Sequence, residues 1–339
     1  MLNTLIQLLL FLGEMIILVV AVLIVVAGIV AIATKEKTKE KNKINVRNLN
    51  EYYKNLTNEM SAEILEEKAY KKYKKSEKKS EKRTLLKKQR IFILNFDGDW
   101  KASAVNLFRE EITAILCVAK PQDEVVVRLE SGGGVIHGYG LAASELQRIK
   151  DHQIPLTIAV DKVAASGGYM MACVADKILA APFAIIGSIG VLAQLPNFHR
   201  FLKKHDVDFE QITAGQYKRT LSLFGENTSD GRKKFQTEIN EAHQLFKQFI
   251  TKHRPQIDID KIATGEYWFG QKAKELNLVD NIMTSDEYLI SASQQADLFE
   301  VSFKRKKKLL EKLGNTTQLS IKDLIASIKQ KELDDIFYL

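Results

Sequence analysis

The chain has 339 residues, 45% of them hydrophobic, a formal net charge of +8 and only two cysteines, so it can bury a full core and is no disulfide scaffold. The positive excess lies in two flanks: residues 35–90 carry 19 Lys+Arg against 9 Asp+Glu and residues 301–339 carry 9 against 5, whereas residues 91–300 carry 22 against 27. A mildly acidic centre argues against a nucleic-acid groove, and the basic flanks read as solvated or membrane-facing segments.

Met15 to Ala33 is an unbroken apolar run, long enough for a membrane-spanning helix. No basic residue precedes it and no small-residue cleavage site follows it, so residues 1–34 read as an uncleaved anchor and not as a leader peptide. Residues 35–90 read as a basic helical stalk that can bury little of its own and can adhere to anionic lipid headgroups.

A globular domain is expected over 91–300, with a basic tail over 301–339. Strand-like runs at Ile91–Phe96, Glu124–Leu129, Leu156–Val160 and Lys177–Ala181 alternate with helical stretches at Ala104–Cys117 and Tyr139–Lys150. That alternation predicts an α/β fold with a largely parallel sheet and an active site at the carboxyl ends of the strands. Further on come a glycine corner at Ile186–Val191, a short helix near Asn197–Lys204 and a strand-like run at Asp208–Thr213. Asp230–His253 reads as one long amphipathic helix whose Phe235, Ile239, Ala242, Leu245, Phe246 and Phe249 belong to a core or a subunit interface. Cys117 and Cys173 both fall in runs expected to be buried, and no spacing of Cys or His suggests a metal.

The chemistry concentrates at Ala164-Ala165-Ser166-Gly167-Gly168-Tyr169. A strand runs into this corner and a small-residue helix leaves it, so the Ser166 hydroxyl can stand clear while the next amides favour developing negative charge. A serine nucleophile needs a base. His137 is the nearest histidine in prospect, and Lys162 and Lys218 are the lysine candidates; the residues alone do not choose between those two. A lysine titrates ordinarily near ~10.4, so it must be desolvated to accept a proton near neutrality.

Seven pieces in order, the anchor with its stalk, Phe96–Asp99, Ser131-Gly132-Gly133-Gly134-Val135, Ala164–Tyr169, Gly187–Val191, Gly215-Gln216-Tyr217-Lys218 and Gly270–Leu276, resemble the signal peptide peptidase A family of membrane serine peptidases. The resemblance implies a ClpP/crotonase-like fold, Ser166 as nucleophile, Lys218 as general base and Ser188 as the residue orienting that lysine. It implies an oxyanion site from the Gly133 and Gly167 amides, although the family usually writes Ser-Pro-Gly-Gly where this chain has Ser131-Gly132-Gly133-Gly134. It implies no metal and no cofactor, peptide substrates such as signal-peptide remnants or unfolded segments, and a homo-oligomeric ring. It places the protein in the bacterial inner membrane with the catalytic domain on the periplasmic side, whereas the dense positive charge after the anchor favours a cytoplasmic one. A crotonase-type acyl-CoA enzyme and a catalytically silent membrane scaffold are the competing readings.

Overall fold

A computed structural model describes residues 43–81 and 89–304, with three isolated positions (Met15, Val20 and Leu23) before them. Apart from those three positions, the expected anchor over 15–33 lies outside the described residues, as does the tail beyond Lys304; among those described, no helix is long and apolar enough to cross a membrane. In chain order the elements are β1 (Lys43–Asn48), α1 (Leu49–Ile64), α2 (Glu67–Glu81), β2 (Gln89–Gly98), α3 (Val105–Leu116), β3 (Glu124–Ser131) and α4 (Ile136–Asp151). There follow β4 (Leu156–Val160), β5 (Val163–Ala165), α5 (Gly167–Ala172), β6 (Lys177–Ala180), β7 (Ile185–Gly187), α6 (His199–Lys204) and α7 (Ser229–His253). The chain closes through α8 (Ile259–Ile262), β8 (Tyr267–Phe269), α9 (Gly270–Glu275), β9 (Asn281–Ile282), α10 (Ser285–Ser293) and β10 (Ala296–Lys304).

The expected parallel α/β sheet is present. Strand order is β1-β10-β2-β3-β4-β6-β9, with a branch in which β5 joins β3 to β7 and β8 caps the branch. The pairings β10–β2, β2–β3, β3–β4, β3–β5, β4–β6, β5–β7 and β6–β9 are parallel; β7–β8 is antiparallel. The two-residue period of a strand decides which face each side chain serves. Phe92, Leu94, Phe96, Val125, Val127 and Leu129 enter the larger core against α3 and α4. Ile91, Ile93 and Val126 enter the smaller core, shared with Leu49 of α1 and Leu289 of α10. Val125, Val126 and Val127 are all fully buried, as a strand covered on both faces requires.

Residues 44–303 form one compact unit, so the domain begins before Ile91. The basic composition of 35–90 hides the reason, which lies in two side chains. Leu49 is 3% exposed. Asn50 donates to the Ser293 and Ala296 carbonyls, both at 2.9 Å, and accepts from the Leu298 amide at 2.7 Å. These contacts tie α1 to α10 and β10, while most of the rest of α1 is exposed.

Two smaller expectations are corrected. Asp208–Thr213 forms no strand and is exposed throughout, with no ladder partner among the described residues. Cys117 is exposed because it lies at the end of α3, past the last buried turn, whereas Cys173 is buried; both are free thiols. Burial pushes the Cys173 thiol up, which leaves it an inert core residue.

Candidate active site

The register of the sheet assembles the site. β3 pairs with β4 over Val125–Arg128 but meets β5 at Ser131, so its carboxyl end lies beside the strand that leads into Ser166. Ala165 of β5 in turn opposes Gly187 of β7, and the Ser166 amide donates to the Gly187 carbonyl at 2.7 Å. The glycine loop, Ser166 and Ser188 thus stand next to one another at three strand ends, the side of the sheet the sequence predicts.

Ser166 has φ 51° and ψ −115°, a conformation that non-glycine residues rarely hold and that clusters at functional sites. The neighbours impose it: the residue must pass from β5 to α5 in one step, with its amide fixed to Gly187 and its carbonyl accepting from the Met170 amide at 2.9 Å. Gly167 opens α5, and its amide has no acceptor among the described residues. First-turn amides of a helix have no intrahelical partner, and this one follows the serine directly. Ser188, at φ 51°, is half-buried and donates its amide to the Glu266 carbonyl at 2.7 Å.

Gly133 is set against this corner. A Cβ built on it would fall 2.7 Å from the Gly167 nitrogen and 2.8 Å from Ser166 Cβ, and its φ is +88°. Only glycine gives the backbone this approach. Its amide donates to Ser131 Oγ at 3.1 Å, so any bond it makes to an oxyanion is shared with that hydroxyl. Gly134, not Gly133, faces the adjoining cavity.

That cavity is about 1020 Å³, large enough for several residues of an extended peptide. Ser166 and Gly167 lie in its wall, with Trp100, Val135 and Met170 nearby. The apolar face of α7 also lines it, through Ile239, Ala242, Leu245, Phe246 and Phe249. The amphipathic helix is therefore more than core, since Phe246 and Ile250 are buried while the rest of that face covers the groove beside Ser166. Sequence periodicity found the face but not its partner, because nothing local in 229–253 says which surface it meets.

The two lysine candidates differ in their partners. Lys162 pairs with Glu130 Oε1 at 3.0 Å, and that hydrogen bond raises its pKa, which makes it a poor proton acceptor. Lys218 sits in an exposed turn in which its own amide donates to the Gly215 carbonyl at 3.1 Å. Among the described residues, no hydrogen bond or ion pair joins Lys218 to Ser166 or Ser188. His137 lines the cavity and is exposed, and among the described residues it makes no hydrogen bond to Ser166. The structure thus brings Ser166, Ser188, Gly133 and Gly167 together, without a hydrogen bond or ion pair from Lys218 to either serine among the described residues. No cluster of His, Cys, Asp or Glu fit to hold a metal occurs among the described residues.

Comparison with known proteins gives this arrangement its class. The model of peptidase family S49 matches residues 148–299, and that of the S49 N-terminal region matches residues 3–146. The chain belongs to peptidase family S49, and the activity supported at that level is peptide-bond cleavage. The boundary between the two matches falls inside α4, so the glycine loop and Ser166 belong to different halves of the family pattern.

Among its relatives, the chain is 55% identical over 252 residues to a probable protease SohB of Haemophilus influenzae, covering 74% of this chain and 71% of that one. It is 50% identical over 297 residues to a probable protease SohB of Buchnera aphidicola from Acyrthosiphon pisum, covering 87% and 88%. A further probable protease SohB, of Buchnera aphidicola from Schlechtendalia chinensis, is 46% identical over 286 residues, covering 80% and 94%.

Proposed function

We propose that the chain is a serine endopeptidase of ClpP/crotonase-like fold, held in the bacterial inner membrane by residues 15–33, that cleaves signal-peptide remnants or unfolded segments. The observation that carries this reading is Ser166 in its strained corner, next to the unpartnered Gly167 amide and open to the apolar cavity. Ser166 Oγ attacks the peptide carbonyl carbon as its proton passes to Lys218 Nζ. The new C–O bond forms while the carbonyl oxygen gathers charge against the Gly167 and Gly133 amides. Collapse breaks the C–N bond, and the lysine proton goes to the leaving amine. Water then repeats the sequence on the acyl-serine, with its proton taken by the same amine, and releases the second peptide.

Lys218 reaches Ser166 in the assembled protein. The segment that carries it leaves Leu192 79%, Phe201 61%, Ile212 95% and Tyr217 54% exposed, a run of apolar surface that association between copies would cover. Ser188 then orients the amine. The test is labelling of the full chain by a fluorophosphonate, together with turnover of a quenched peptide. Ser166→Ala abolishes labelling, and Ser166→Ala and Lys218→Met each reduce kcat by about 10⁴-fold or more. Lys162→Ala keeps the labelling. Labelling that survives Ser166→Ala, or a Lys218→Met variant as active as the parent, overturns the assignment.

A further inference from the structure

Two hydroxyls outside the proposed dyad are buried at the base of the glycine loop. Ser131, 2% exposed, ends β3, and Tyr139, fully buried, lies in the first turn of α4. The Gly133 amide donates to Ser131 Oγ at 3.1 Å, and Tyr139 donates its phenolic proton to the Asp99 carbonyl at 2.7 Å. The two hydroxyls lie 2.5 Å apart, and either can be the donor. Ser131 Oγ also donates to the Gly98 carbonyl at 3.1 Å. The bonds therefore form one connected network, from the Gly133 N–H through Ser131 and Tyr139 to the Gly98 and Asp99 carbonyls, and neighbouring bonds in such a network strengthen one another. Burial lifts the Tyr139 phenol above its ordinary range, against the opposing bond from Ser131, so the donated proton stays in place.

The ring of the same tyrosine backs the other amide. A Cβ built on Gly167 would fall 2.4 Å from Tyr139 Cγ and 2.7 Å from Cδ2, so the ring lies directly against the Gly167 backbone. The glycine loop and the Ser166 corner follow different strands, and Tyr139 is in contact with the supports of both.

We infer that Tyr139 is a positioning residue for peptide hydrolysis: its ring fixes Gly167 while its hydroxyl, through Ser131 Oγ, fixes the peptide plane that carries the Gly133 amide. The inference rests on the reading of Ser166 as nucleophile. Two amides that must converge on one oxygen lose most of their effect when one drifts by a fraction of an ångström. Tyr139→Phe keeps the ring and breaks the chain of hydroxyls; Ser131→Ala breaks it one link earlier with the ring intact.

The experiment uses the full chain in detergent, a fluorogenic peptide, a peptide aldehyde and the same peptide without the aldehyde. Both variants are expected to lose roughly ten- to a hundredfold in kcat with KM changed less than about threefold. Affinity for the aldehyde, whose tetrahedral adduct places an oxygen against the amides, falls by the same factor, whereas the unreactive peptide binds as before. The double variant loses no more than the worse single one, because the two hydroxyls act as a unit. A Tyr139→Phe or Ser131→Ala enzyme with parental kcat, or one weakened only in KM with its aldehyde affinity intact, overturns the inference. Ser166→Ala in the same assay separates the two readings. If it is inactive while Tyr139→Phe turns over normally, only the role of Tyr139 falls. If it still turns over, the nucleophile falls and takes this inference with it.

Discussion

Gly133→Ala is expected to lose at least about 10²-fold in kcat/KM while the fold survives. The argument is steric and local. The added methyl would stand 2.7 Å from the Gly167 nitrogen, 2.8 Å from the Ala165 carbonyl oxygen and 2.8 Å from Ser166 Cβ, with two of those three atoms in backbone that cannot swing away. It would also crowd the Gly167 amide, which belongs to the proposed oxyanion site. The residue's φ of +88° adds a backbone cost of about 1–2 kcal/mol for any side chain, modest beside the stability of a domain this size. Gly132→Ala is the internal comparison, since a Cβ there meets nothing within 4 Å, and its loss is expected to be far smaller. Peptide turnover alongside circular dichroism checks both, and a Gly133→Ala enzyme within a few-fold of the parent would sink the proposed oxyanion site.

The largest effect on stability is expected at Arg254. This side chain is 4% exposed and makes a two-pronged bond to Asp280, Nη1 to Oδ2 and Nη2 to Oδ1, each at 2.9 Å. Nη2 also donates to the Asn277 carbonyl at 3.0 Å, and Asp280 Oδ2 accepts from the Ile178 amide at 2.7 Å. One guanidinium therefore fastens the end of α7 to β6 and to the segment before β9. Arg254→Met leaves the Asp280 carboxylate without its counter-charge and the Asn277 carbonyl without this donor. Removing one partner of a buried pair costs about 3–5 kcal/mol; with the Asp280 side chain 33% exposed, solvent reduces this to about 3 kcal/mol. That corresponds to a fall in Tm of roughly 10 °C. Because α7 walls the cavity, KM is expected to rise in the same variant at temperatures where it is still folded. Arg254→Lys recovers little, since an ammonium cannot make both bonds at once. A Tm within 2 °C of the parent, on the order of a 1 kcal/mol effect or less, would show that α7 is held mainly by its apolar contacts.

The sheet was legible because its strands are short apolar runs bounded by glycine corners, and the parallel arrangement follows from their alternation with helices. Ser166 was legible for the same reason, as a small-residue corner between a strand and a helix. What sequence could not supply was contact across distance. Asn50 is one polar residue in a basic stretch, and nothing near it announces that its amide joins α10 to β10. Tyr139 reads as an ordinary early-helix aromatic; only the approach of Gly167 on one side and Ser131 on the other gives it a role. A tyrosine and a serine eight residues apart, flanking a glycine loop, were the available signal. Only the family resemblance distinguishes Lys218 from Lys162; the structure adds that Lys162 pairs with Glu130.

The two sides of the groove come from separate parts of the chain. The proposed nucleophile and its proposed oxyanion amides lie in corners at 131–134 and 166–167, whereas much of the rest of the cavity wall is a single helix, 229–253, fixed to the sheet at its far end. Side chains such as Ile239, Leu245 and Phe249 can be exchanged without disturbing a strand register or a strained turn. Diversification of cleavage preference among such enzymes has a low-cost route through that helix, leaving the bond-breaking apparatus untouched.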